Sequence, residues 1–290
     1  MDGLPDHAKG LMIVVLGALV LTPDTLLIRL IALDPWTVLV WRGLLQALGL
    51  SVLVVCFYGR ETPACVRAVG PRGYAAALLF ALGTVLFIVA LAHTSVANTL
   101  IIVASAPFFA ALASRVFLGE RIPRRTWAAI VVALGGIFLL AFESLGSGSL
   151  WGDLAALGVA ITMGGNFTVL RHARAVNMIP AMALAGLIVG LAALLVAEPA
   201  VLDRTQLVWM LVMGLFVVPV SFALLTLGPR YLPAPEVSLL LLLETVLGPF
   251  WVWLALGEAP GPWALIGGGV VVATLAVHSA LALGRRRAPA

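Results

Sequence analysis

Charge is the scarcest property of this 290-residue sequence, since only 10% of its residues are charged and only Lys9 is a lysine. Soluble globular domains carry about 25% charged residues. Here 62% of the residues are hydrophobic, and the mean hydropathy is +1.14. A water-soluble chain of this size could not bury so much apolar surface. The composition therefore excludes a soluble protein and predicts one that lipid surrounds.

Several other classes of protein are excluded by what is rare. No glycine-rich loop precedes a Lys-Ser/Thr pair, which argues against an ATP site. The two cysteines, Cys56 and Cys65, flank a loop predicted below to be cytoplasmic, where thiols stay reduced. Nothing resembles a metal-binding framework, so no metal or cofactor is expected. The net charge of +4 is spread over short loops, which argues against nucleic acid as a partner.

Long apolar runs dominate the rest of the chain. A helix needs roughly 20 apolar residues to cross the ~30 Å hydrocarbon core of a bilayer. The first run lacks a basic region before it and is interpreted as a first transmembrane helix rather than a cleaved signal peptide. Ten segments qualify as spans: 10–32, 35–57, 73–93, 95–117, 126–143, 151–171, 178–197, 206–228, 235–255 and 262–284.

The basic residues predict the orientation of these spans. Of the 17 basic residues, 14 fall at the N-terminus, at the C-terminus, or in and beside the loops after spans 2, 4, 6 and 8. Only Arg29 and Arg204 fall on the opposite side, and Arg42 lies inside span 2. By the positive-inside rule, both termini are expected in the cytoplasm.

The two halves of the sequence repeat each other. "FLGERIPRRTWAAIVVALGG" (117–136) matches "ALGEAPGPWALIGGGVVVA" (255–273), and "TPDTLLIR" (22–29) lies against "GGNFTVLR" (164–171). Each half has five spans, an odd number, so the halves cross the membrane in opposite directions. Inverted repeats of this kind are typical of secondary transporters, with a substrate site near the midplane. The predicted units are 1–145 and 151–284, with a connector at 146–150 and a basic tail at 285–290.

Particular motifs resemble a known family. The two Leu-Gly-Glu helix ends, "VWRGLL" (40–45) and the five-plus-five layout resemble the EamA-like branch of the drug/metabolite transporter superfamily. "LGPRYLPAPEVSLLLLLETVLGPFWVW" (227–253) is similar to bacterial exporters of aromatic and other amino acids in that branch. The resemblance covers essentially the whole chain. It implies a basket of ten helices with a central cavity lined mainly by helices 1, 3, 4, 6, 8 and 9.

Glu244 is the most unusual residue within a span. It lies nine residues into span 9, about 13 Å deep at 1.5 Å per residue. An ionised carboxylate at that depth costs at least ~2.5–3.5 kcal/mol, so it should face a cavity or a partner, or be protonated. Gly248 and Trp251 share its helix face and offer space and an aromatic wall. We favour a role in substrate handling over that of a buried structural carboxylate, which stays the alternative.

Asp24 in span 1 and Arg42 in span 2 lie at similar depths from the same side. An ion pair between them is therefore plausible, and the structural interpretation is favoured, with Asp24 orienting Arg42. If they do not pair, Arg42 becomes a candidate for binding a substrate carboxylate. The arginine also matches one that is common in span 2 of the resembled family.

Three further polar residues are candidates for lining the substrate path. Asn166 follows a glycine pair, Gly164–Gly165, that permits local unwinding, although an inter-helical hydrogen bond is an equal alternative. Asn98 and Ser105 lie on one broad face of span 4, where close packing of small residues is favoured over a pocket. The predicted substrate-binding set is Asp24, Asn98, Ser105, Asn166, Glu244 and Trp251.

The sequence thus predicts an all-α polytopic transporter of a bacterial inner membrane, present as a monomer. It would export amino acids, aromatic and other neutral ones, and related small metabolites by alternating access. An exporter of cationic drugs or other metabolites is the alternative, with Glu244 facing the cation. A membrane enzyme is disfavoured because the four histidines are scattered over different spans.

Overall fold

Helices make up all the regular secondary structure of the residues that the computed structural model describes, which are 5–142, 149–197, 202–257 and 261–284. Short 3₁₀ turns lie at Gly59–Glu61 and Gly228–Arg230, and a π-helical segment spans Val212–Val217. The fourteen α-helices are α1 Asp6–Leu21, α2 Asp24–Ile31, α3 Pro35–Tyr58, α4 Thr62–Ala68, α5 Gly70–His93, α6 Val96–Val103, α7 Ala106–Phe117, α8 Arg124–Ala141, α9 Leu150–His172, α10 Ile179–Leu194, α11 Arg204–Leu211, α12 Val218–Leu227, α13 Ala234–Leu256 and α14 Pro262–Gly284.

Most of these helices are long enough to cross a bilayer. Among the described residues, nine helical segments are both long and apolar enough, and each falls on one of the predicted spans. The tenth predicted span corresponds to α10, which is apolar but has only 16 residues. At 1.5 Å per residue it reaches about 24 Å, less than the hydrocarbon core. Ten membrane crossings therefore stay a prediction.

The outer faces of the bundle are apolar. Leu16 on α1, Leu48 on α3, Val131 on α8 and Leu281 on α14 each expose at least half of their surface. Soluble proteins rarely expose apolar faces that extend over several helices, whereas lipid tails solvate them at no cost. The exposed faces therefore fit a membrane environment.

Two predicted spans are not continuous helices. Span 1 breaks between α1 and α2 at Thr22–Pro23, and span 4 breaks between α6 and α7 at Ala104–Ser105. Pro23 directly precedes α2, and Pro107 lies in the first turn of α7, where the missing N–H costs least. Interrupted helices near the bilayer centre are a recurrent feature of substrate sites in secondary transporters.

The packing of helices follows an approximate two-fold symmetry between the halves. The second spans of the two halves, α3 and α10, pack on each other, as do the fifth spans, α8 and α14. The contact of α5 with α9 has its counterpart in the contact of α12 with α1. A Cβ atom on Gly43 would lie 2.6 Å from the backbone nitrogen of Gly190, so glycine allows α3 and α10 to approach.

The glycines of the two Leu-Gly-Glu motifs share a left-handed backbone conformation. Gly119 follows α7 with φ +65°, and Gly257 follows α13 with φ +74°. Glycine adopts this left-handed conformation without steric cost and commonly ends helices. The shared turn and the exchanged helix contacts fit an inverted repeat. Glu258, the connector residues 146–148 and the basic tail lie outside the described residues, and the unit boundaries stay predictions.

Contacts between loops define two ends of the bundle. The start of α1 and the last turns of α14 lie together at one end, which we call the terminal end, and α9 finishes there as well. The start of α9 lies at the opposite end, where Ser149 N donates to His93 O over 3.3 Å. Because α1 starts where α9 finishes, the first spans of the two halves run in opposite directions.

Candidate functional site

The break between α1 and α2 places an acidic residue inside the bundle. Asp24 is the first residue of α2, and its Oδ2 atom lies 2.9 Å from Nη2 of Arg42 on α3. The two side chains are 7% and 18% exposed, so this ion pair is mostly shielded. Asp24 Oδ1 and Arg42 Nε are buried and have no hydrogen-bond partner within the described part of the chain. A single hydrogen bond therefore joins Asp24 and Arg42, and one acceptor on Asp24 and one donor on Arg42 remain unused.

Helix α13 packs directly against this break. Trp251 Nε1 donates a hydrogen bond to Thr22 Oγ1 over 2.8 Å. One turn earlier, a Cβ atom on Gly248 would lie 3.0 Å from Thr25 Oγ1, so the glycine lets α13 approach α2. The predicted face of Glu244, Gly248 and Trp251 therefore points towards the break in span 1.

Glu244 lies one turn before Gly248, near the middle of α13. The Asp24 carboxylate and the Arg42 guanidinium are both close enough to act on it electrostatically. Glu244 is only partly buried, and among the described residues its carboxylate has no hydrogen bond or ion pair. We call Asp24, Arg42 and Glu244 the charged cluster. It holds two carboxylates, one guanidinium, and free hydrogen-bonding capacity within the span of the membrane.

The other predicted residues are not part of this cluster. Asn166 on α9 donates its Nδ2 to the carbonyl of Ala76 on α5 over 2.7 Å and is 4% exposed. Asn98 Nδ2 donates to Thr94 Oγ1 over 3.3 Å. Ser105 Oγ donates to Ile102 O over 2.6 Å, at the break in span 4. Asn166 thus makes the inter-helical hydrogen bond that was one of its two interpretations, and a substrate role for these three residues stays a prediction.

The local unwinding that Gly164–Gly165 permits does not occur, because α9 is helical from Leu150 to His172. A Cβ atom on Gly164 would lie 2.6 Å from the backbone nitrogen of Ala110 on α7. The glycine is therefore explained by the close approach of α7 and α9. Sequence reasoning could not separate these two uses of glycine, since both require only a missing side chain.

Three buried titratable residues escaped the sequence analysis. His7 on α1, Glu236 on α13 and His278 on α14 converge at the terminal end, with His7 Nε2 2.8 Å from Glu236 Oε2. The sequence shows the four histidines on different spans, but the fold brings His7 and His278, which lie 271 positions apart, to the same glutamate. A glutamate in the first turn of an apolar helix was the available signal. Within the described residues, no group of His, Cys, Asp and Glu is arranged to hold a metal ion.

An apolar groove of about 910 Å³ lies elsewhere, lined by α5, α7 and α9. Arg72 and His172 border it, and Leu79, Phe109 and Val116 are among its apolar walls. No member of the charged cluster lines it. The groove is therefore a separate feature, and the central cavity that the family resemblance implied stays a prediction.

Comparison with known proteins assigns the chain to a family. The profile of the EamA-like transporter family matches residues 8–142 and again residues 150–280. The pseudopaline exporter CntI of Pseudomonas aeruginosa is 29% identical over 198 residues, covering 66% of this chain and 69% of that protein. An uncharacterized transporter of Archaeoglobus fulgidus is 29% identical over 219 residues, covering 73% and 78%.

A solved crystal structure shares the fold, with a TM-score of 0.83 over 97% of this chain and 100% of its own, at 18% identity. The family and the named relatives are transporters rather than enzymes. The double match of the family profile also reflects the internal repeat seen in the helix packing. The chain is a multi-pass membrane protein that belongs to the EamA-like transporter family.

Proposed function

We propose that this protein is a monomeric secondary transporter of a bacterial inner membrane. It exports amino acids, aromatic and other neutral ones, and related small zwitterions by alternating access. The observation that carries the proposal is the charged cluster, in which the Glu244 carboxylate lies unpaired beside the Asp24–Arg42 ion pair. An ionisable residue within a transmembrane helix is a functional candidate by default, because its burial is costly.

The chemistry of the cluster suits a zwitterion. Arg42 offsets the charge of Asp24, which leaves Glu244 as the carboxylate available to a substrate ammonium group. Arg42 Nε and Asp24 Oδ1 supply an unused donor and an unused acceptor at the same place. A charge-assisted hydrogen bond from the guanidinium would hold a substrate carboxylate. Trp251, oriented by Thr22, adds an aromatic wall for an apolar side chain.

Alternating access requires contacts between the halves that can break at one end while they persist at the other. At the terminal end, Arg171 Nε donates to Glu120 Oε1 over 2.9 Å. At the opposite end, Thr94 Oγ1 donates to Asp153 Oδ1 over 2.8 Å. Each bond joins one half to the other, so opening either end would break its own bond. By the distribution of basic residues, the terminal end faces the cytoplasm.

The relative from Pseudomonas aeruginosa supports a second candidate. Its name describes export of pseudopaline, and it aligns with two thirds of this chain. Pseudopaline, or a compound of its class, is therefore an alternative substrate to a simple amino acid. A cationic drug is the third candidate, and it would use Glu244 without needing Arg42.

Transport by the purified protein in proteoliposomes tests these alternatives. We expect uptake of phenylalanine to exceed uptake of a quaternary ammonium compound, and unlabelled substrate to compete. Glu244→Gln keeps the shape of the side chain and removes its charge, so it should lower phenylalanine affinity about tenfold, the effect of about 1.4 kcal/mol. Glu61→Gln, at an exposed position, is the matched control and should transport like wild type.

One result would reject the amino-acid substrate, and another would reject the role proposed for Glu244. One is transport of the quaternary compound or of pseudopaline with no transport of any amino acid. The other is a Glu244→Gln protein that folds and transports phenylalanine like wild type from pH 5 to 8, which would make the glutamate a packing residue.

A further inference from the structure

We propose that His7, Glu236 and His278 form a proton-binding site at the terminal end, separate from the charged cluster. The proposal deepens the proposed transport function by naming a coupling ion, and it rests on that function for its role. Its existence as a site can be measured without transport. We call these three residues the His-Glu-His site.

The geometry brings three titratable groups around one carboxylate. His7 Nε2 lies 2.8 Å from Glu236 Oε2, and His278 Nε2 lies 3.8 Å from Glu236 Oε1. The three residues are 3%, 5% and 7% exposed, respectively. Each oxygen of the carboxylate therefore faces a different histidine, in surroundings from which water is largely excluded.

The site has unused capacity for protons. His7 Nδ1 and both ring nitrogens of His278 are buried, without a hydrogen-bond partner among the described residues. Buried polar groups in folded proteins nearly always have a partner, and exceptions often mark a functional role. A purely structural cluster would gain stability by satisfying these atoms, whereas a site that takes up and releases protons must leave a nitrogen available.

Charge balance links the number of bound protons to burial. When one of the two histidines is an imidazolium, the other is a neutral imidazole and the carboxylate is ionised, the site has no net charge. A second proton makes its net charge +1, and loss of the first makes it −1. A net charge is costly in a buried site and cheaper in a hydrated one. A conformational change that exposes the site to water therefore changes its proton occupancy.

The location of the site provides such a change. His7 belongs to the first half of the chain, whereas Glu236 and His278 belong to the second. Separation of α1 from α13 and α14 would open the terminal end and expose all three residues. Proton uptake or release would then accompany the step that changes access, which is the requirement for coupling transport to a proton gradient.

Most of the charged groups on neighbouring elements are engaged elsewhere or exposed. Lys9 and Asp6 of α1 lie 3.9 Å apart, and Arg125 of α8 donates to the Leu281 carbonyl of α14. On the linker before α13, Arg230 donates to the Arg174 carbonyl. The remaining titratable groups on packed elements are Tyr231 on that linker, Arg115 on α7, Arg124 on α8, Asp153, Arg171 and His172 on α9, Asp24 and Arg29 on α2, and Glu244 on α13.

Histidine-detected NMR in nanodiscs tests the site directly, since the chain has only four histidines. His93 and His172 are exposed and serve as internal references. We expect the ring nitrogen signals of His7 and His278 to change with pH, which would show that the site binds protons. Because both rings face the Glu236 carboxylate, Glu236→Gln should change the pH response of both and leave those of His93 and His172 as in the wild type. Signals of His7 and His278 that do not respond to pH, or that respond identically in Glu236→Gln, would overturn the proposal.

Transport under an imposed pH gradient tests coupling. We expect the gradient to stimulate wild-type transport several-fold, and Glu236→Gln to keep exchange without a gradient while losing the stimulation. His172→Gln should retain it. Full stimulation in a folded Glu236→Gln protein would reject the coupling role.

If Glu236→Gln does not fold, His7→Gln replaces it, with the pH response of the His278 ring as its readout. Failure of wild type to transport amino acids would instead count against the proposed function, while the NMR titration would still decide the proton site.

Discussion

Trp251 and Thr22 are 229 positions apart in the chain, yet Trp251 Nε1 lies 2.8 Å from Thr22 Oγ1. The Thr22 hydroxyl in turn donates to the carbonyl of Leu19, also over 2.8 Å. The indole of Trp251 therefore forms a hydrogen bond with the residue at which span 1 breaks, two positions before Asp24. Movement of α13 would be transmitted to the charged cluster through this contact.

This contact predicts energetic coupling between the two side chains. Trp251→Phe keeps an aromatic ring but removes the donor, and Thr22→Val removes the acceptor. We expect each single change to slow transport, and the double variant to be little worse than Thr22→Val, since the same Trp251–Thr22 hydrogen bond, worth about 1 kcal/mol, is lost in every case. Transport rate and thermal stability are the readouts. Trp253→Phe, at an exposed position on the same helix, is the control; fully additive effects would contradict the prediction.

The Asp24–Arg42 pair predicts a partial rescue by charge exchange. Removal of one member of a buried ion pair typically costs about 3–5 kcal/mol, because the other charge stays buried without a partner. Asp24→Asn and Arg42→Gln should each lower the yield of folded protein, and the exchange of both residues should restore part of it. Yield after size-exclusion chromatography measures this. An Arg42→Ala protein that folds with wild-type yield would contradict the structural role of the pair, and loss of amino-acid transport in it would be explained by the substrate contact alone.

Helix packing predicts a difference between two glycines. On Gly43 of α3, a Cβ atom would meet the backbone of Gly186 and Gly190 at 2.7 and 2.6 Å, whereas on Gly135 of α8 it would meet nothing within 4 Å. Gly43→Ala should therefore lower the stability by about 1–3 kcal/mol, as overpacking usually does. Gly135→Ala should be neutral or slightly stabilising, since alanine favours helix. Thermal unfolding in detergent compares them, and equal stabilities would disprove the close approach.

The charge distribution predicts opposite accessibility for two loop positions. Cysteines at Arg121 and Thr205 should react with a membrane-impermeant thiol reagent from the cytoplasmic and the outer side, respectively. Both positions are exposed, and the native Cys56 and Cys65, which are unbridged, are replaced by serine first. Labelling of both positions from the same side would refute the inverted topology.

The course of the helices could be predicted where a residue restricts the backbone. Pro35 and Pro262 stand at helix starts, where two of the predicted spans begin. Pro23 and Pro107 accompany breaks that the hydropathy pattern did not reveal. An apolar run shows that lipid surrounds it, but not whether the helix within it is continuous. The break at Thr22 depends on its neighbours as well, since Trp251 bonds to that residue.

By itself, the sequence determined that lipid surrounds the protein, the approximate extent of the helices, the internal repeat and the family. Each of these depends on overall composition or on residues that are near neighbours or recur at a fixed spacing. The tertiary structure alone decided which polar groups meet. Asp24 pairs with Arg42, Asn166 bonds to α5, and His7 joins Glu236 and His278. These helices are apolar on nearly every side, so no stripe of polar residues shows which face is turned inward. The face that each helix buries follows from close packing against its neighbours, and that information is spread over the whole chain.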